Sequence, residues 1–106
     1  MRWHFVLIVA LLIGPAPAAW GQAGDPRLGQ TFAERNCAAC HAIGRSGESR
    51  VPAAPAFRRL HLRYPVEQLA EALAEGITTG HTLMPEFQLS PVQIEDLLAY
   101  LKTLER

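Results

Sequence analysis

Asn36-Cys37-Ala38-Ala39-Cys40-His41 decides how the rest of this sequence is read, because it holds both cysteines of the chain and places a histidine directly after the second. Cysteines three apart on one helical turn project to the same side. The histidine can then swing its imidazole beneath a plane anchored by both sulfurs, and small Ala38 and Ala39 let that plane lie close to the backbone. Four chemistries compete for such a stretch. A dithiol–disulfide couple needs a βαβ context, and no strand of convincing length flanks these residues. A zinc site would recruit Cys37, Cys40 and two of His41, His61 and His81, but the helix pattern differs from a zinc ribbon. A plain structural disulfide is the third. The fourth is the C-x-x-C-H attachment pattern, in which both thiols add to porphyrin vinyl groups as thioethers and His41 binds iron as the proximal ligand. This last reading, one covalently bound haem c, fits the rest of the chain best.

Upstream, Arg2, an apolar run from Trp3 to Ile13 broken only by His4, and then Gly14, Pro15, Pro17 and small residues have the three parts of a secretory signal peptide. The run is short of the ~20 residues that cross a bilayer. Cuts after Ala18, Ala19 or Ala23 all fit, with Ala23 preferred because Gly21 and Ala23 supply the small residues, so we expect residues 1–23 to be a leader and residues 24–106 to form one domain exported to the periplasm, without stable membrane insertion. The 106 residues balance ten Lys plus Arg against ten Asp plus Glu, which argues against a nucleic-acid binder. Within the expected domain the charge is uneven. Residues 24 to 63 hold seven Arg against three acids, and residues 64 to 106 hold seven acids against two bases. Such a separation gives a dipole able to orient the body toward a charged partner.

Three helices are expected, joined by two long loops. Asp25-Pro26 reads as an N-cap and first helical proline, opening a helix to about Asn36 with Leu28, Phe32 and Ala33 at helical spacing. Gly44 to Pro55 is loop by composition. Pro65 starts a second helix, with Val66, Leu69, Ala70 and Leu73 as its apolar stripe and Gly76 as its stop. Ile77 to Leu89 has no sustained period and reads as a second ordered loop. Ser90-Pro91-Val92-Gln93 is a capping box ahead of a terminal helix whose stripe is Ile94, Leu97, Leu98 and Leu101. An 83-residue domain buries only roughly 60% of its unfolded surface, and two cysteines cannot form a disulfide lattice. A prosthetic group between the loops would supply the missing core.

The later loop offers the second iron ligand. Met84 precedes Pro85, which holds it extended rather than helical. Met1 belongs to the leader, so Met84 is the remaining thioether in the chain. His81 is the rival donor.

With these pieces in place, residues 24–106 resemble a small class I cytochrome c of bacterial periplasmic type. Gly29 eight residues ahead of Cys37, the Asn36–His41 segment, Met84-Pro85, and Leu97-Leu98-Ala99-Tyr100-Leu101 stand in the family's order. The resemblance implies an all-α class I cytochrome c fold, three main helices with loops wrapped around the covalently bound haem. It implies a crossing of the first and last helices in which Gly29 and Ala33 face Leu97 and Tyr100. Ala33 stands where the family usually has an aromatic, with Phe32 adjacent to compensate. The resemblance also matches Pro55 to the proline whose carbonyl accepts the free N–H of the proximal histidine, with Pro52 as the fallback. Phe57, Leu60, Leu73, Ile77, Leu83 and Phe87 become candidates for the haem-pocket wall. The two haem propionates need cationic partners; Arg58 and Arg59 come first, with Arg63, His61 and Tyr64 behind them.

Iron held by His41 and Met84 has no vacancy for substrate, so one-electron transfer is expected rather than catalysis. The chain would be a periplasmic carrier, working as a monomer with redox proteins as donor and acceptor, or else a cytochrome subunit of a larger periplasmic dehydrogenase or oxidoreductase complex.

Overall fold

The computed structural model describes residues 9–14, 23–77 and 84–106. Helix α1 spans Pro26–Asn36, α2 spans Leu69–Glu75 and α3 spans Pro91–Thr103, with two 3₁₀ helices, Phe57–Leu62 and Val66–Gln68, between α1 and α2. No strand occurs among the described residues. This is an all-α architecture.

Each helix starts where its sequence provides a cap. The Asp25 carboxylate accepts from the Arg27 N–H at 2.9 Å, and Pro26 occupies a position whose missing N–H costs nothing. The Ser90 hydroxyl accepts from the Gln93 N–H at 3.3 Å, and the Gln93 side chain accepts from the Ser90 N–H at 2.9 Å, a complete capping box. Gly76 ends α2 with φ of +95°, which an L side chain rarely adopts.

The second helix differs from its sequence expectation. Pro65 acts as the N-cap of a 3₁₀ turn, and regular α-helix begins only at Leu69. Pro65 offers no side-chain acceptor for the first N–H groups, and the turn tightens instead: the Gln68 N–H donates to the Pro65 carbonyl at 3.0 Å. The 3₁₀ helix at Phe57–Leu62 lies in a stretch where no helix was expected. Its signature is the pair of buried apolar residues Phe57 and Leu60, three apart, which is the 3₁₀ repeat but too short to stand out as a pattern.

α1 and α3 cross in close contact. Ala33 is fully buried, and a Cβ added at Gly29 would collide with the Asp96 carbonyl and the Tyr100 side chain. The expected Leu28 is exposed, so Gly29 and Ala33 form the buried edge of α1, with half-buried Phe32 packed beside them. Ile94, Leu97, Tyr100, Leu101 and Leu104 carry the α3 side of the core. Val66, Leu73 and Leu89 close it, and the Leu89 N–H donates to the Leu73 carbonyl at 2.9 Å, pinning the later loop onto α2. The Asp25 N–H donates to an Asp96 carboxylate oxygen at 2.8 Å, so α3 also fixes the entry to α1.

Candidate functional site

The C-x-x-C-H stretch continues α1 by one irregular turn. The Cys37 N–H donates to the Ala33 carbonyl at 2.8 Å, and the Cys37 carbonyl then accepts from the N–H groups of Cys40 at 3.2 Å and His41 at 2.9 Å. Both thiols are free and half-buried on this turn. Burial pushes the Cys37 thiol up to about 11. Among the described residues no cluster of three or more His, Cys, Asp or Glu is placed to hold a metal ion, and His61 does not join the cysteines in one.

The His41 ring is fixed on two sides. Its Nδ1 lies 2.7 Å from the Pro55 carbonyl oxygen. A carbonyl can only accept, so Nδ1 carries the proton and donates, and in the neutral ring that tautomer leaves the Nε2 lone pair on the other edge free to bind a metal. The Phe57 ring stands 5.0 Å from the imidazole, centroid to centroid, at a 45° tilt. Three loop hydrogen bonds brace this arrangement: Phe57 N–H to the Ala42 carbonyl at 2.9 Å, Val51 N–H to the Cys40 carbonyl at 3.2 Å, and Ala42 N–H to the Ser49 hydroxyl at 3.0 Å. Pro52, the alternative acceptor, is exposed and lines an open cleft along the same loop.

The two arginines first in line for the propionates are oriented differently. Successive residues of a 3₁₀ helix point about 120° apart. The Arg58 side chain is only 18% exposed, and its Nη1 is buried without a hydrogen-bond partner, while Arg59 is 56% exposed. Both reach Glu48 only loosely, at 3.9 Å and 4.0 Å. Arg63 is exposed, and His61 and Tyr64 are half-buried, with His61 Nδ1 also unpartnered.

Met84 is half-buried at the start of the irregular segment leading to Ser90, and Phe87 packs against the core. Of the proposed wall residues, Phe57, Leu60 and Leu73 are core and Ile77 packs against it. His81 and Leu83 lie outside the described residues. The sequence reading missed one tether altogether. The Tyr100 hydroxyl donates to the Ile43 carbonyl at 2.7 Å, tying the segment just after His41 to α3 across 57 positions, a separation over which sequence pattern gives no signal.

These residues fit a haem c. The donor set has two thiols on one turn, an imidazole with Nδ1 already engaged and Nε2 available, and a buried guanidinium N–H lacking the anion that burial demands.

The comparisons agree with this fit. The family model described as Cytochrome c matches residues 27–105. The chain is 36% identical over 80 residues to cytochrome c6 of Nostoc sp., covering 74% of this chain and 69% of that protein. It is 36% identical over 86 residues to cytochrome c4 of Thiocapsa roseopersicina, covering 81% of this chain but only 43% of that one. It is 28% identical to cytochrome c-552 of Bradyrhizobium diazoefficiens over 104 residues, covering 98% of each. No solved structure matches the chain. A match running from the first turn of α1 to the penultimate residue takes in every part of the site, and the chain belongs to the cytochrome c family, electron-transfer proteins rather than enzymes, with haem c bound covalently at Cys37 and Cys40.

Proposed function

We propose that this protein is a one-electron carrier of the periplasm, with His41 and Met84 as the two axial ligands of its iron. The observation that carries the reading is the 2.7 Å hydrogen bond from His41 Nδ1 to the Pro55 carbonyl. That bond fixes the tautomer, holds the ring plane and makes Nε2 a better donor, as outer partners of ligating histidines do. When bound, the haem supplies a ferric–ferrous couple, and a thioether opposite imidazole favours the ferrous side. Met84 is suited to that position by Pro85, which keeps it out of helix, and by the hydrogen bond from Leu89 to Leu73 that anchors the end of its loop. Arg58 would meet a propionate with its buried Nη1, and Arg59 would stay in solvent.

Export fits the leader. Val9, Leu11, Leu12 and Ile13 are 77% or more exposed, an apolar surface that cleavage after Ala23 would remove. No described helix is long and apolar enough to cross a membrane.

The test is an absorption spectrum of oxidised and reduced protein made in cells that attach haem c. We expect a haem that survives acid-acetone extraction and a sulfur-to-ferric charge-transfer band. Retained haem without that band, with carbon monoxide binding to the reduced protein at neutral pH, would remove Met84 from the iron.

A further inference from the structure

The stretch in front of α1 is seated on α3 before any helix begins. A Cβ added at Gly24 would collide with the Glu95 carbonyl and stand 2.6 Å from the Asp96 nitrogen. Both obstacles are helix backbone, so the chain passes this close because residue 24 has no side chain. One residue on, the Asp25 N–H donates to an Asp96 carboxylate oxygen at 2.8 Å, a half-buried contact across 71 positions. Ala23, by contrast, is exposed. The charged residues around Gly24 belong to both helices: Asp25 and Arg27 at the start of α1, Glu95 and Asp96 on α3. The Arg27 side chain is 91% exposed and lies 3.7 Å from the Asp25 carboxylate, too loose and too solvated to offset three acids. The place where α3 receives the chain is therefore net negative, and it coincides with the first residue after the preferred leader cut.

We propose that the leader is hydrolysed at the Ala23–Gly24 bond and that the amino group released there is held by the Asp96 carboxylate, making the processed terminus part of the α1–α3 crossing. The inference rests on the leader reading above. A leader peptidase of the export machinery adds water across the peptide bond. Ala23 leaves as a carboxylate, and Gly24 keeps an amine that takes up a proton at neutral pH. Before the cut, residue 24 offers α3 one neutral N–H. After it, the same nitrogen carries a positive charge and three donors, one residue from an N–H that Asp96 already holds. The α1 dipole opposes a cation at its start, but with only about half an elementary charge, against whole charges on Asp96, Asp25 and Glu95. The carboxylates win. Chain starts are normally loose unless tied down, and here processing supplies the tie: it removes the apolar leader and strengthens the contact that fixes the entry to α1.

The test uses the exported, haem-loaded protein. Intact mass should place its first residue at Gly24. The Cα resonance of residue 24 in labelled, reduced protein, followed against pH, should titrate higher in wild type than in Asp96→Asn by about half a unit or more. Asparagine keeps an oxygen for the Asp25 N–H and removes only the charge. Gly24→Ala, which cannot lie against α3, should lower the titration point as Asp96→Asn does. Glu71→Gln, the same change of charge on α2, should move it by less than about 0.2 unit. Equal titration in wild type and Asp96→Asn, equal effects of Asp96→Asn and Glu71→Gln, or a Gly24→Ala terminus that titrates like wild type would overturn the pairing. A first residue of Ala19 or Trp20 would overturn the cut while leaving a cleaved leader. A chain that keeps its apolar run would refute the leader reading itself, and the intact mass separates that failure from the others.

Discussion

Gly29 faces Tyr100 so closely that a β-carbon on residue 29 would stand 2.8 Å from the Tyr100 β-carbon, with the Asp96 carbonyl closer still. Both obstacles belong to α3, one of them backbone, so neither can swing aside. The crossing of α1 and α3 is therefore set by a missing methyl group. Because α1 ends at Asn36 and is capped by Cys37, this contact also fixes where the cysteine turn begins relative to the terminal helix.

Gly29→Ala should lower stability by about 2–3 kcal/mol, the upper part of the usual overpacking range, because the helices must separate to admit the methyl group. Gly44→Ala provides the comparison, since a Cβ there meets nothing within 4 Å. Denaturant midpoints of the haem-loaded variants measure both. Equal midpoints would mean that the crossing relaxes without cost.

Tyr100 links α3 to the site through the Ile43 carbonyl, and Tyr100→Phe should cost about 0.5–1.5 kcal/mol at neutral pH. Burial, and next to it the charge of Glu34, push the Tyr100 hydroxyl above its ordinary value of 10.0, against a smaller opposing effect of Arg45. The folded state thus keeps the phenolic proton to higher pH than the unfolded chain does. That stabilising contribution is complete below the ordinary tyrosine range and is lost as pH rises through the raised value. Wild type and Tyr100→Phe should therefore converge in stability on the alkaline side, as urea melts across that range would register. A constant gap would show that the hydroxyl proton is not what matters.

Much of this was legible because it is local. The cap at Asp25, the capping box at Ser90, the stop at Gly76 and the one-turn spacing of Cys37 and Cys40 each depend on residues within a few positions of one another. What was not legible depends on neighbours far along the chain. Leu28 has the composition of a core residue, yet α3 approaches the side of α1 bearing Gly29 and Ala33, and Leu28 is left 56% exposed. Phe57–Leu62 shows only two apolar residues at threefold spacing, too few to announce a helix. Arg58 and Arg59 are the same residue type side by side, and only the turn of that short helix makes one buried and the other solvated.

That difference between adjacent arginines can be measured. Arg58→Leu should destabilise the haem-loaded protein by about 1.5–3 kcal/mol, the cost of losing a charge-assisted hydrogen bond to a carboxylate. Arg59→Leu should change it by less than about 0.5 kcal/mol, as expected at an exposed position. Thermal melts of both variants with haem attached decide the matter. Equal effects would assign the propionate to neither or to both. A loss confined to Arg59→Leu would reverse the assignment made from burial.

The ligand opposite His41 controls the potential more strongly than any of these contacts, because axial identity accounts for much of the ~0.8 V range over which protein haems are spread. On the proposed ligation, Met84→His would exchange a soft sulfur for a second imidazole nitrogen, which favours ferric iron. The substitution touches neither Pro85 nor the Leu89–Leu73 hydrogen bond that holds the end of this segment on α2. The fold should therefore survive while the potential falls by on the order of a hundred millivolts or more. Redox titration followed by visible absorption, alongside a circular-dichroism melt, separates the two effects. A potential left at the wild-type value in a folded variant would mean that residue 84 is not bound to the iron, and His81 would then be the next side chain to replace.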